Sequence, residues 1–291
     1  MPEPEKAQTV MWRGGEYTKD DLVKMDPVLL RALFRERIHH TIEVHLYPVM
    51  LGRIKVPPAF GLQPQLIYDV WKERGLSDAG PDFEWAKRYL EIAARVRAGE
   101  RVSVDAPISR PFNDQEMAVL KKALWERRSC REWQEKEVPD RMIEQVLEAG
   151  RAAPCACNLD VVRFIVLREP DEMKMVWSDT PTPPKQCVLI IICYDNRVYK
   201  VTGQDKTVGH NQMLDCAAAA DHMLLMAHAL GLGGVWLTRT EKTGQAFKEQ
   251  YGLPDYIEPV LHIAVGWAAR GTIKSQRMPL SEMIIKRKKA K

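Results

Sequence analysis

Glu126-Arg127-Arg128-Ser129-Cys130-Arg131-Glu132-Trp133 is the stretch around which the chain is organised. It follows a predicted helix, Gln115 to Glu126, whose apolar residues Met117, Leu120, Ala123 and Leu124 recur at helical spacing. Three guanidinium groups and a hydroxyl stand within five residues where that helix gives way to a loop. A guanidinium offers a planar fork that phosphate accepts through two oxygens, and a serine hydroxyl adds one more donor. The stretch therefore suits a phosphorylated or otherwise anionic ligand. Taken alone it is more often a solvated basic turn, here offset by Glu126 and Glu132, so the remaining segments decide.

With 291 residues, 45% hydrophobic and 28% charged, the chain can bury one large core or a core plus an extension. The net charge of +4 is small and sits partly in Lys286-Arg287-Lys288-Lys289-Ala290-Lys291, so no nucleic-acid partner is expected. The most apolar run, Cys187 to Cys193, falls far short of the ~20 residues that span a membrane. The polar start, Met1-Pro2-Glu3-Pro4-Glu5-Lys6, lacks the apolar segment of a signal peptide. A cytoplasmic protein with six reduced cysteines is expected. Cys155 and Cys157 have no second pair at metal-ligand spacing, so no zinc is expected.

The first hundred or so residues read as helical. Thr18 and Asp21 form a capping-box pattern, and Asp26-Pro27 opens a helix carrying Leu29, Leu30, Leu33, Phe34, Ile38 and Ile42. His39 and Glu43 are four apart on it and can face one ligand, although such groups are more often packing polar residues. Pro48 to Pro64 reads as a connector, followed by helices near Gln65 to Arg74 and Asp82 to Ala98. Val104 to Phe112 reads as a linker, which divides the chain into 1–112 and 113–291.

Beyond it, helices and strands alternate around a central sheet. Helices are predicted at Pro139 to Arg151, Gln212 to Leu230 and Thr243 to Tyr251. Strands are predicted at Val161 to Leu167, Val188 to Cys193, Val235 to Thr238 and Val260 to Trp267. The run Ala217 to Ala220 permits a close backbone approach, either in the core or at a dimer seam.

Three further segments carry chemistry. In Ala153-Pro154-Cys155-Ala156-Cys157-Asn158-Leu159-Asp160, small residues admit a flat ligand and the Asn158 amide matches a donor beside an acceptor on a heterocycle. An ordinary loop with a turn-forming Asn fits as well. Gly231 to Arg239 places its glycines after a helix and before a strand, the reverse of a dinucleotide fingerprint. Trp236 there suits a ligand wall or the core. Val265-Gly266-Trp267 is followed by Lys274, Arg277 and Pro279, with cations suited to a phosphate or to solvent.

In this order the segments resemble the nitroreductase family of FMN-dependent oxidoreductases. Arg127, Ser129 and Arg131 match its Arg-x-Ser-x-Arg/Lys motif, and Ala153, Pro154 and Asn158 match its Ala-Pro-Ser-x-x-Asn loop. Gly231 to Trp236 matches its Gly-Leu-Gly turn and Trp-containing strand. The resemblance runs from about Gln115 to Ile285. Cys155 replaces the usual serine, Asp160 the usual glutamine, and Arg239 stands where a small residue is common.

The resemblance implies an α+β fold, a mostly antiparallel central sheet flanked by helices, here with an N-terminal helical extension. It implies a homodimer with FMN at each interface, and NADH or NADPH as hydride donor to a nitroaromatic, quinone or other conjugated acceptor by a ping-pong mechanism. No side chain is then needed as nucleophile or general acid. By motif position, Arg127, Ser129 and Arg277 belong to the phosphate end with Lys274 a lesser candidate beside them, Arg128 is a further cofactor-binding residue, and Arg131 belongs to the flavin N1 and C2 carbonyl edge. Pro154, Cys155, Ala156 and Asn158 border the ring from the partner chain, and Trp236, Leu237 and Thr238 lie on the N5 side. The alternatives are a dehalogenating, desaturating or flavin-degrading branch, and a flavin-binding or partner-docking protein without turnover.

Overall fold

The structure, a computed structural model, describes residues 7–12, 15–103, 107–173, 187–238 and 240–286. Residues 104–106 of the expected linker, Arg239, and 287–291 of the basic tail lie outside these.

The N-terminal region opens with an antiparallel hairpin, β1 (Thr9–Trp12) and β2 (Gly15–Thr18), where the sequence reading expected only helices. Strands of four residues carry too short an alternation to be read from pattern alone. Thr18 then caps α1 (Lys19–Lys24) through a complete capping box with Asp21. Asp26 caps α2 (Pro27–Ile38), whose proline occupies the first turn, where its missing N–H costs nothing. This helix continues through a π-helical turn, His39–Glu43, into α3 (Val44–Met50). Pro48 therefore lies inside a helix, and the connector predicted to start there begins after Met50. α4 (Leu62–Glu73) and α5 (Pro81–Arg97) complete the region. Leu30, Leu33, Phe34, Ile38, Ile67, Trp71, Phe83 and Leu90 fill a core of its own.

The second region starts at α6 (Asp114–Glu126), with Asn113 and Glu116 forming another capping box. α7 (Asp140–Arg151), β3 (Val162–Leu167), a short α8 (Pro170–Met173) and β4 (Val188–Asp195) follow. Then come α9 (Asn196–Val201), α10 (Asp205–Val208), the long α11 (Asn211–Ala229) and β5 (Gly233–Thr238). α12 (Glu241–Gln250), β6 (Ile257–Gly266) and a short α13 (Leu280–Met283) end the described chain. The sheet order is β3-β4-β6-β5, antiparallel throughout, as the resemblance implies.

β4 explains the layering. Val188, Ile190 and Ile192 point into one core with α7 and α11, while Leu189, Ile191 and Cys193 point into another with Phe247 of α12. A strand covered on both faces reads as an unbroken apolar run. The β4–β6 register shifts between Ile192 and Cys193, opposite Pro259, whose ring nitrogen has no hydrogen to donate to the ladder. In the alanine run, Ala219 and Ala220 are core, while Ala217 and Ala218 are half-buried. Gly150 of α7 lets α11 approach closely, because a Cβ there would stand 2.8 Å from Met223.

The stretch read first is laced between two strands. Ser129 bridges Gly234 of β5, and Cys130 N–H donates to the Gly234 carbonyl at 3.1 Å. Gln134 N–H donates to the Trp267 carbonyl at 2.8 Å, and Ala269 N–H to the Glu132 carbonyl at 2.9 Å. The lacing needs Gly233, where a Cβ would meet that of Cys130 at 2.7 Å. Gly233→Ala should therefore lower stability by about 1–2 kcal/mol, read by urea unfolding.

Candidate functional site: a cation-lined cavity and a strained loop

The lacing brings Arg127, Arg128, Ser129 and Arg131 against the segment after β6. Together with Lys274, Gln276, Arg277 and apolar walls from Trp125 and Met278, they line a cavity of about 890 Å³. Among the described residues no carboxylate lines it. Arg127, Arg131 and Arg277 have no carboxylate partner among the described residues. Cations gathered without counter-charge repel one another, and a bound anion relieves that repulsion. Arg128 stands apart, because its Nη1 donates to the Trp125 and Arg127 carbonyls at 2.6 and 2.7 Å and so closes the C-terminus of α6. Lys274 lies over the Trp125 ring, 5.9 Å from its centroid.

Trp236, Leu237 and Thr238 occupy the edge strand β5, two to four residues beyond the Ser129 bridge at Gly234. Trp236 is 39% exposed, which favours a wall over a core position. Leu237 turns into the core beside Phe247.

Pro154 and Cys155 line a different cavity, about 350 Å³, with Arg151, Arg163, Phe164 and Asp215. Ala156–Asn158 forms a single tight turn in which Cys157 and Asn158 have φ of 53° and 54°, and Asp160 follows at 51°. Left-handed backbone at non-glycine residues costs about 1–3 kcal/mol each, so the surroundings must impose it. Asp215 of α11 accepts from Ala156 N–H and from the Tyr199 hydroxyl, both at 3.0 Å. Burial pushes the Asp215 carboxyl and the Tyr199 phenol upward.

The remaining hold comes from the N-terminal region. Arg35, nearly buried, donates to the Asn158 backbone carbonyl at 2.9 Å and to its Oδ1 at 3.0 Å. It also pairs with Asp160 at 2.6 Å and Asp82 at 3.3 Å. The Asn158 side-chain oxygen is thus engaged by this chain's own arginine. Leu159 and Val161 share a core with Ala32, Val198 and Tyr199, which seats α2 on the loop.

Beside it, His40 Nε2 is 4.0 Å from Cys157 Sγ and Nδ1 is 2.7 Å from Glu36 Oε1. Cys157 first, then Glu36, holds the His40 imidazolium up to about 9. A histidine raised above its unfolded value near 6.5 stabilises in full below that pH and loses the contribution as pH rises through about 9. Melting temperature should accordingly fall more steeply from pH 6.5 to 9 in the wild type than in His40→Gln. His39 is 2.7 Å from Glu43, which also accepts from the Tyr89 hydroxyl at 3.2 Å, so that pair is occupied in packing.

Sequence reasoning missed Arg35, Glu36, Tyr199 and Asp215. Only an arginine with one adjacent acid, Glu36, inside an apolar helix face hinted at burial, and no spacing linked it to a loop more than a hundred residues away.

A model of the nitroreductase family matches residues 124–180 and 184–267. An Archaeoglobus fulgidus protein provisionally named NADH dehydrogenase/NAD(P)H nitroreductase is 30% identical over 151 residues, 50% of this chain and 83% of that protein. A Bacillus subtilis protein named FMN reductase (NAD(P)H) is 25% identical over 172 residues, 54% of this chain and 69% of that protein. A Desulfovibrio desulfuricans structure, provisionally described as a nitroreductase in complex with FMN, aligns with TM-score 0.51 and 27% identity. That alignment covers 62% of this chain and all of the other.

Proposed function

This chain belongs to the nitroreductase family, and on that premise we propose that it is an FMN-dependent oxidoreductase taking hydride from NADH or NADPH and passing it to a small organic acceptor. One observation carries the reading: five cationic side chains and a serine hydroxyl converge on one cavity with apolar walls and, among the described residues, no acid. That donor set fits a phosphate on an aromatic ligand, which is what FMN presents. When bound, FMN supplies the hydride-carrying centre.

Arg127, Ser129 and Arg277 grip the phosphate, with Lys274 a longer-reaching cation beside them. Arg128 shapes the turn through its backbone bonds. Arg131 places a fixed positive charge toward the pyrimidine edge, which favours the ring when it carries the extra electrons. Trp236 and Thr238 form the wall on the other side. Pro154 and Cys155 line a different cavity from the cations within one chain, so we assign them, with Ala156 and Asn158 of the same loop, to the site of a second copy.

A homodimer accords with the exposed apolar surface of α6, where Val119, Leu124 and Trp125 are 68%, 51% and 59% exposed. No helix among the described residues is long and apolar enough to cross a membrane, and we place the protein in the cytoplasm. Residues 1–112 form an extension unit on a nitroreductase-like unit, 113–291, with Arg35 as the tie between them. By fixing the loop that borders the ring, the extension narrows the range of acceptors.

The test is anaerobic mixing of the yellow purified protein with NADH or NADPH, followed by a panel of nitroaromatics, quinones and free flavins. Loss of flavin absorbance and its recovery with an acceptor is the expected result. Yellow protein that neither nicotinamide bleaches would instead favour a flavin-binding protein without turnover.

A further inference from the structure

Two cysteines stand in the same turn with opposite surroundings. Cys155 Sγ faces a carboxylate, donating to Asp160 Oδ1 at 3.3 Å. Burial, reinforced by Asp160, pushes the Cys155 thiol up to about 11. Cys157, two residues on, instead faces the imidazole of His40 at 4.0 Å. That ring is fixed from behind by Glu36, which is fully buried and shared with Arg37 at 2.6 Å. Glu36 and His40 are four apart and so share one helix face, and the π-helical turn begins at His39 between them and the next helix.

The sulfur sits on left-handed backbone, with Asn158 beyond it also left-handed and clamped by Arg35. Strain held in place by surrounding bonds is a mark of functional positions, where it aims a side chain that relaxed backbone would direct elsewhere. Both Cys157 and His40 are only partly buried, whereas Cys130, Cys187, Cys193 and Cys216 are buried. The other titratable groups around the turn are Asp160 on the loop, Tyr199 of α9 and Asp215 of α11.

We infer that Cys157, His40 and Glu36 form a nucleophilic site at which the Cys157 sulfur adds to a soft, electron-poor carbon, such as the β-carbon of an α,β-unsaturated carbonyl compound. The one proton shared by the pair rests on His40 Nε2, and Glu36 orients and stabilises that imidazolium. A sulfur electron pair forms the S–C bond while the C=C π pair shifts toward the α-carbon. The proton held on His40 then passes to that carbon. The sum adds S–H across the double bond with no net oxidation and no further reactant. The site does not depend on the flavin reading, because every atom it uses belongs to residues 36–40 and 157.

The experiment treats the full-length protein with limiting N-ethylmaleimide at pH 7 and follows each cysteine by peptide mass spectrometry. Cys157 should be alkylated at least about tenfold faster than Cys155, and His40→Gln should remove that advantage in a variant that circular dichroism shows to be still folded at pH 7. Equal rates for the two cysteines in the wild type would overturn the inference. So would an unchanged Cys157 rate in folded His40→Gln. Should that variant not fold, the wild-type ratio of the two rates decides alone. The readout is alkylation, so its failure leaves the flavin reading untouched, and colourless protein leaves this one untouched.

Discussion

Arg127→Ala is expected to weaken FMN binding between about ten- and a hundredfold. A hydrogen bond to a charged group contributes about 1.5–3 kcal/mol, and each 1.4 kcal/mol is a factor of ten in affinity. Arg127 lines the cavity with no carboxylate to offset its charge, so its loss removes attraction without leaving a stranded acid. Because it stands at the end of α6 and its side chain makes no hydrogen bond or ion pair among the described residues, the fold should survive. Arg128→Ala makes the matched control. Its guanidinium closes the helix end, so that variant should lose stability and little affinity. Fluorescence titration with FMN beside thermal melting separates the two, and equal affinity losses in both variants would contradict the assignment.

Arg35→Ala is the second large effect. Its guanidinium is nearly buried and pairs with Asp82 and Asp160 while donating twice to Asn158. Removing one partner from a buried ionic cluster costs about 3–5 kcal/mol. Asp160 is half-exposed and recovers hydration, so about 2–3 kcal/mol is the better expectation here. The left-handed turn at Cys157 and Asn158 should relax as well, since part of what holds it is gone. Amide hydrogen exchange across 155–161 should therefore rise by at least about tenfold in the variant. Stability within about half a kcal/mol of wild type, with exchange unchanged, would show that Arg35 is not the tie between the two regions.

Much of this was legible in the sequence, and what was not has physical reasons. β4 and α11 announced themselves because one element buries both faces and the other is long and regular. The cavity cations were readable because Arg127, Ser129 and Arg131 are close in sequence, and the strand pairing supplied the rest by folding Lys274 and Arg277 back onto them. The hairpin at Thr9–Thr18 escaped because its strands are too short to show a period. The continuous helix through Pro48 escaped because a proline usually breaks one. The hold on the 153–160 loop escaped altogether. Arg35, Asp215 and Tyr199 meet it only through tertiary packing, which no local pattern encodes.

Titrating flavin-stripped protein with FMN and with riboflavin, which differ only in the phosphate, tests most directly whether the cavity cations are a phosphate grip. FMN should bind at least about a hundredfold more tightly, with an advantage that shrinks as salt is raised. Equal affinity for the two, unmoved by salt, would contradict it.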